Sequence, residues 1–337
     1  MTAASTTLVI AELAQGRLSR LTAELLALAR RLAAGTGDTV AAAVFANRAD
    51  GVPEELIARG ADHVYWMEHA QLEHYHGESW VSAAAQLCRE QVPALVLAGH
   101  TAAGADLAPR LAFRLGTAVA TGCVAVSLSG GRPVFTRPCF GGNARETLSF
   151  TTAPAVATLR AGCCEALARD DTRRGEVTRV VPQLDDETRR VTVVERLTDA
   201  VEGVQLEDAQ IVIAGGRGLN GPDGFRWLEQ LAGVLGGAVG ASRVPCDLGW
   251  CPRSWQIGLT GRTVQPELYI AVGISGAGHH MAGCGGAKAI VAVNTDRDAA
   301  IFKDARFGVV GDYLQIVPAF IDELQKLRPP INADERR

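Results

Sequence analysis

The chain has 337 residues, 33 Lys and Arg against 37 Asp and Glu, and a formal net charge of −4. That length suits two domains, each with its own core, and a mildly acidic chain without a Lys/Arg block lacks the footprint of a nucleic-acid binder. No apolar stretch reaches the roughly 18 residues that a membrane span needs.

The start, Met1 to Ile10, has no basic region before its short apolar run, so no secretory signal is read there. Eight cysteines are scattered without a C-x-x-C pair, which excludes a zinc ribbon and a thioredoxin-type redox motif. The expectation is a cytoplasmic protein with reduced thiols. Glycine stands at 37 residues and aromatics at 5%. Against a usual glycine share of about 7%, this suggests many tight turns or backbone-lined ligand sites.

Short β-branched runs alternate with Ala/Leu runs of helical period from the start of the chain. Strands are expected at 7–13, 39–45, 63–67 and 94–99, and helices at 18–34, 53–59, 78–91 and 104–115. Such alternation predicts a parallel sheet with helices on both faces. Beyond Gly122 the pattern breaks into short strand-like segments (CVAVSLS, RPVFTRPCF, RETLSFTT, PAVATLRAG) separated by Gly, Pro and Asn. They are expected as antiparallel hairpins at the edge of that sheet. Residues 165–199 are dominated by charge and read as a solvated connector with one or two exposed strands. The boundary between a first domain, 1–203, and a second, 204–337, is placed near Gly203.

The second half restarts the α/β pattern with more glycine. Strands are expected at 210–214, 238–244, 267–272, 289–293 and 307–310, with helices at 222–235 and 313–327. The fold class is therefore α/β, with two doubly wound (Rossmann-like) domains and mostly parallel sheets. Strands of the second half end in Gly, Ser, Asn or Asp, where doubly wound sheets bind their ligands.

Gly216-x-Gly218-x-x-Gly221 follows a predicted strand and opens a helix, which formally satisfies the dinucleotide fingerprint. An NAD-dependent dehydrogenase would also want an acidic residue at the end of the next strand, about 20 residues on. Ser242-Arg243 stands there instead. Pro222 and Asp223 also make a good helix start with no ligand implied. Ser275-Gly276-Ala277-Gly278-His279-His280 forms a second Gly-rich turn, suited to holding a pyrophosphate with backbone N–H groups. Adjacent histidines on a helix make a poor metal pair, and one facing a ligand with one facing solvent is the simpler reading. His63, His69, His74 and His76 lack metal-ligand spacing and are expected to be structural or surface residues. Trp227, Trp250 and Trp255 suit core packing as well as ring stacking.

The second half resembles the FAD-binding domain of the electron-transfer flavoprotein alpha subunit. The segments that carry this are VIAGGRGL (212–219), LAGVLGGAVGASRVPCDLGW (231–250), QIGLTGRTVQPELYIAVGISGAGHHMAG (256–283), and IVAVNTDRDAAIF with FGVVGD (290–312). The first half is similar more loosely, chiefly through RPVFTRPCFGGNARETL. The resemblance implies one FAD, with Arg217 and Ser242 approaching its pyrophosphate or ribityl chain and Arg243 its isoalloxazine ring. It implies that the loop Gln256, Ile257, Gly258, Leu259, Thr260 faces the ring, with the Thr260 hydroxyl toward flavin N5. Ser275, Gly276, Ala277, Gly278, His279 and His280 would wrap the ribityl-phosphate region, with His280 near the O2 carbonyl. Asn294, Asp312 and Tyr313 would lie on the adenosine side.

The resemblance further implies a redox-active electron carrier rather than an enzyme, paired with a beta subunit that completes the pocket. Electrons would arrive from a flavin dehydrogenase of the acyl-CoA type and leave to a quinone oxidoreductase or another acceptor. A specialised or electron-bifurcating version of the same family is the alternative, as is a nucleotide-binding scaffold that has lost its flavin. A cation about 4 Å from the reduced ring, at an effective dielectric near 20, would favour its negative charge by up to roughly 4 kcal/mol. At about 59 mV per 1.4 kcal/mol, that raises a one-electron potential on the order of 170 mV. Arg243, and His280 as a cation or N–H donor, are the expected sources. Family members usually have Gln where this chain has Leu259, and Ile-Gln where it has Gly278-His279, so a shifted flavin potential is expected.

Overall fold

The computed structural model describes residues 5–14, 16–140, 144–184, 191, 194, 206–207 and 209–327. The chain forms two compact units, residues 1–198 and 199–337. The boundary expected near Gly203 lies outside the described residues.

In the first unit, β1 (Thr6–Ala11) leads through the two-residue pair β2 (Leu13–Ala14) and β3 (Arg17–Leu18) into α1 (Arg20–Thr36). The Ser19 side chain caps α1 by accepting from the Thr22 N–H, and the helix passes Gly35 to end at left-handed Gly37. Next come β4 (Thr39–Ala46), α2 (Val52–Ala58), β5 (His63–Glu68), α3 (Gly77–Gln91), β6 (Leu95–Gly99) and α4 (Ala102–Leu115). β7 (Val119–Cys123), β8 (Ala125–Ser129), β9 (Arg132–Cys139), β10 (Ala144–Ser149), β11 (Ala155–Leu159) and β12 (Glu176–Val180) complete the unit. A seven-stranded sheet of order β12-β5-β4-β1-β6-β11-β7 is parallel throughout. Its central strands β1, β4, β6 and β11 are apolar on both faces. Val9 and Ala42 pack with Leu25, Leu28 and Leu56 of α1 and α2, while Leu8 and Ala43 pack with Trp80, Leu87 and Leu111 of α3 and α4.

One expectation changes here. β8, β9 and β10 form an antiparallel sheet of three strands, as the segment pattern suggests, but β11 does not join it. It lies between β6 and β7, parallel to both. Its sequence AVATL is buried at every position, the mark of a strand covered on both faces rather than of a hairpin. The charged segment holds one exposed strand of the expected kind, β12, over the part described. β12 pairs with β5 along five residues. Before it, the Asp170 N–H donates to the Ala58 carbonyl and Arg173 meets Asp62 at 3.4 Å.

The second unit contains β13 (Ile211–Gly215), α5 (Gly224–Leu235), β14 (Ala238–Ala241), α6 (Arg243–Asp247), β15 (Leu268–Val272), α7 (Gly278–Cys284), β16 (Ala289–Asn294), β17 (Phe307–Val310) and α8 (Tyr313–Leu327). Its five strands run parallel in the order β14-β13-β15-β16-β17. Alternation along β15 sends Tyr269 and Ala271 to one face, with Ile257, Cys284 and Ile301. Ile270 and Val272 go to the other, with Leu228, Leu231, Val317 and Ile321 of α5 and α8. Strand order reverses at the β13/β15 junction, which opens the crevice of a doubly wound sheet there.

Candidate functional site

A cleft of about 690 Å³ lies at that junction, within the range of small-molecule and cofactor sites. Its walls come from the segments after four strand ends: 217–220 after β13, 242–244 after β14, 273–280 after β15 and 294–299 after β16. The loop 256–260 closes it.

The turns after β13 and β15 are pressed together at Gly216 and Gly273. A Cβ on Gly216 would stand 2.1 Å from the Gly273 carbonyl oxygen. The Gly216 N–H donates to Val272 O at 2.9 Å and the Gly218 N–H to Gly273 O at 3.0 Å. These glycines of the fingerprint therefore serve backbone packing at the switch point, and their N–H groups are used within the protein. The turn lines the cleft with Arg217, Gly218 and Asn220, and Arg217 is exposed and without an ion-pair partner among the described residues.

α6 supplies Ser242 at its start, then Arg243 and Val244. Arg243 is exposed, and its Nε meets Asp247 Oδ2 at 3.0 Å, one turn on. Part of its charge is thus compensated inside the protein. The 256–260 loop is ordered from both sides. The Ile257 N–H donates to Ala241 O at 2.8 Å and the Leu259 N–H to His279 O at 2.7 Å. Buried Gln256 donates through Nε2 to Thr260 Oγ1 at 3.0 Å. Because that bond occupies a lone pair of the hydroxyl, the Thr260 O–H remains a donor for something else. Leu259 is 52% exposed beside it.

His280 is the one buried titratable group of the cleft wall, 7% exposed. Its Nδ1 lies 3.0 Å from the Ile257 carbonyl, which can only accept, so Nδ1 carries the proton. Nε2 then accepts from the Tyr269 hydroxyl at 2.9 Å. Burial pulls its pKa down to about 4, against a smaller upward pull from the Ile257 hydrogen bond. At neutral pH the ring is uncharged and both nitrogens are engaged, so it has neither a positive charge nor a spare N–H for a ligand. His279, next to it, is exposed.

Of the residues singled out in the sequence, Arg217, Ser242, Arg243, Gln256, Ile257, Gly258, Leu259, Thr260, Ser275, Ala277, His279, His280 and Asn294 share this cleft. Asn294 uses both ends of its amide internally, donating to Ile274 O at 2.9 Å and accepting from the Asp296 N–H. Gly276 and Gly278 belong to the same turn without lining it; a Cβ on Gly276 would meet the Ile301 nitrogen at 2.3 Å. Asp312 and Tyr313 are not in the lining. Asp312 caps the start of α8 by accepting from the Leu314 N–H, and the Tyr313 hydroxyl donates to Leu219 O at 2.9 Å. Asn220, Val244, Ile274, Asp296 and Ala299 line the cleft but carry no distinctive sequence signal. Tyr269, which sets the state of His280, was hidden in an ordinary strand pattern.

Two guanidinium groups, three hydroxyls and close-packed backbone turns at a switch point suit a ligand with both a phosphate and a polar ring. This defines the class as a doubly wound α/β protein whose second domain is of the cofactor-binding kind. The chain belongs to the electron transfer flavoprotein alpha-subunit family. Residues 7–185 match the electron transfer flavoprotein domain, and residues 205–285 the electron transfer flavoprotein FAD-binding domain. It is 40% identical over 322 residues to the electron transfer flavoprotein subunit alpha of Thermoanaerobacterium thermosaccharolyticum, covering 95% of this chain and 98% of that one. With the same subunit of Bacillus subtilis it shares 39% over 320 residues, covering 95% and 97%. It is also 31% identical over 349 residues to the acryloyl-CoA reductase electron transfer subunit beta of Anaerotignum propionicum, covering 94% and 95%. Among the described residues no helix is long and apolar enough to cross a membrane.

Proposed function

We propose that the second domain binds one FAD in the β13/β15 cleft and that the chain carries electrons as the alpha subunit of a heterodimer with a beta subunit. The observation that carries this reading is the convergence of Arg217, Ser242, Thr260 and Ser275, from separate loops, on one cleft at the switch point. The donor set fits the group. Arg217, without an ion-pair partner among the described residues, offers its charge for a pyrophosphate, and Thr260 offers its O–H with its acceptor side already held by Gln256. When bound, the flavin supplies the electron-accepting chemistry, and the protein supplies binding, orientation and electrostatics.

The charge of Arg243 is shared with Asp247 and that of His280 is absent. Electrostatic support for a negatively charged ring is thus smaller in this reading than two full cations would give. Leu259 adds apolar surface where the loop faces the ring. The donor is a flavin dehydrogenase of the acyl-CoA type, the acceptor a quinone oxidoreductase or an equivalent protein, and the compartment the cytoplasm. The relative named for acryloyl-CoA reductase favours a second reading, in which the chain serves a single acyl-CoA enzyme as a dedicated electron-transfer subunit.

Co-expression with the beta subunit, followed by cofactor release and quantification, tests the proposal. One FAD per heterodimer, retained in a protein with flavin absorption bands, is the expected result. A colourless heterodimer, or FAD recovered with the beta chain alone, would overturn it.

A further inference from the structure

α6, which brings Ser242, Arg243 and Val244 to the cleft, also carries Cys246, and the turn after it carries Cys251. Their sulfurs are 3.5 Å apart, the sole hydrogen bond between two cysteine sulfurs among the described residues. Both side chains are partly exposed rather than buried. The turn that brings them together is well defined. The Gly249 N–H donates to Cys246 O at 3.1 Å, the Trp250 N–H donates to Pro245 O at 2.9 Å, and Gly249 takes the left-handed conformation at φ 72°.

We propose that Cys246 and Cys251 are a dithiol–disulfide modification site that takes small-molecule disulfides as its oxidant and locks the end of α6. A disulfide needs its sulfurs at about 2.05 Å. From the present 3.5 Å, closing the bond brings the two sulfurs about 1.5 Å closer. Cys246 is the attacking sulfur: its S–H faces the Pro252 carbonyl at 3.7 Å, so Cys251 is the donor across the 3.5 Å contact, and once deprotonated Cys246 keeps that S–H as its partner. It displaces one thiol from the oxidant to give a mixed disulfide. Cys251, once deprotonated, then attacks the Cys246 sulfur and releases the second thiol. Two thiols and one external disulfide become one internal disulfide and two external thiols, with two electrons passing to the oxidant. Burial pushes both thiols up, Cys251 to about 12, so the exchange is slow at neutral pH and quickens as pH rises. The locked turn continues from α6, the helix that places Ser242, Arg243 and Val244 on the cleft wall.

Trypsin leaves both cysteines in one peptide, Val244 to Arg253, which makes the test direct. The folded full chain is equilibrated with oxidised and reduced glutathione, acid-quenched, alkylated, digested and weighed. The expected product is a peptide two hydrogens lighter and free of alkyl groups, which dithiothreitol reverses. The ratio of disulfide to dithiol should exceed that of the urea-unfolded chain by at least about tenfold. Cys251→Ser should trap glutathione on Cys246. A doubly alkylated peptide, a persistent mixed disulfide in the unsubstituted chain, or equal ratios folded and unfolded would each overturn the proposal.

Discussion

The Tyr269 hydroxyl, fully buried in the second sheet, donates a 2.9 Å hydrogen bond to Nε2 of His280 on the cleft wall. With the Ile257 carbonyl holding Nδ1–H on the other side, this bond fixes both the tautomer and the charge of the ring. His280 has an ordinary value of 6.5 and a folded value of about 4. Between those pH values the unfolded chain takes up a proton that the folded chain refuses. The second domain therefore loses stability as pH falls from 6.5 toward 4, on the order of 3 kcal/mol. Urea unfolding followed by tryptophan fluorescence at several pH values should show this slope, and His280→Asn should remove it. An equal slope in the variant would contradict the assignment.

Glu12 gives the opposite slope in the first domain. Burial at the end of β1 pushes its pKa up to about 7, against a downward pull from the Thr101 hydroxyl bond. A carboxyl raised in the folded state contributes stability that is full below 4.5 and is lost as pH rises through 7. The loss is on the order of 3 kcal/mol. Glu12→Gln, which keeps an acceptor for Thr101, should flatten the profile between pH 4.5 and 7 and raise stability at neutral pH. Equilibrium unfolding monitored by backbone circular dichroism checks both.

The parallel sheets were readable from period and burial alone, and β17 and α8 fall at the residues expected of them. The mistaken placement of β11 arose because Gly, Pro and Asn around Ala155–Leu159 resemble hairpin punctuation. Only the absence of polar alternation in AVATL separates a central strand from an edge one. At the cleft, Arg217, Ser242 and Ser275 stand out in the sequence because each follows a strand end, whereas Thr260 is singled out only by the family resemblance. The state of His280 was not legible. It depends on Tyr269 and a carbonyl 23 residues away in sequence, which only the folded register brings together. Asp312 and Tyr313 also follow a strand end, but there Asp312 caps the start of α8 and the Tyr313 hydroxyl holds the Leu219 carbonyl, outside the cleft lining.

Gly216→Ala tests the pinch between the two turns. Its Cβ would lie 2.1 Å from Gly273 O, in backbone that cannot swing away. A loss of more than about 2 kcal/mol from the second domain is expected, visible as a lowered thermal midpoint. Gly278→Ala meets open space and should leave the midpoint within roughly 0.5 kcal/mol of the original.

Leu259→Gln restores a polar side chain where the loop is exposed, without touching the 2.7 Å backbone bond from Leu259 N–H to His279 O. One added hydrogen bond, about 1 kcal/mol, corresponds to roughly 40 mV for one electron. Potentiometric titration of the flavin-loaded heterodimer should register a shift of that order. Unchanged one-electron potentials would remove Leu259 from the account.

Arg217 carries the central claim, that FAD sits in this cleft with its phosphates against the Arg217 guanidinium. A charge-assisted hydrogen bond of about 1.5–3 kcal/mol corresponds to a roughly 10- to 150-fold change in affinity. The direct measurement is FAD titration of the deflavinated heterodimer by flavin fluorescence, with the unsubstituted chain beside Arg217→Gln. At least a tenfold rise in Kd, with the unfolding midpoint of the free chain unchanged, is the predicted result. Equal Kd values for the two proteins would contradict it.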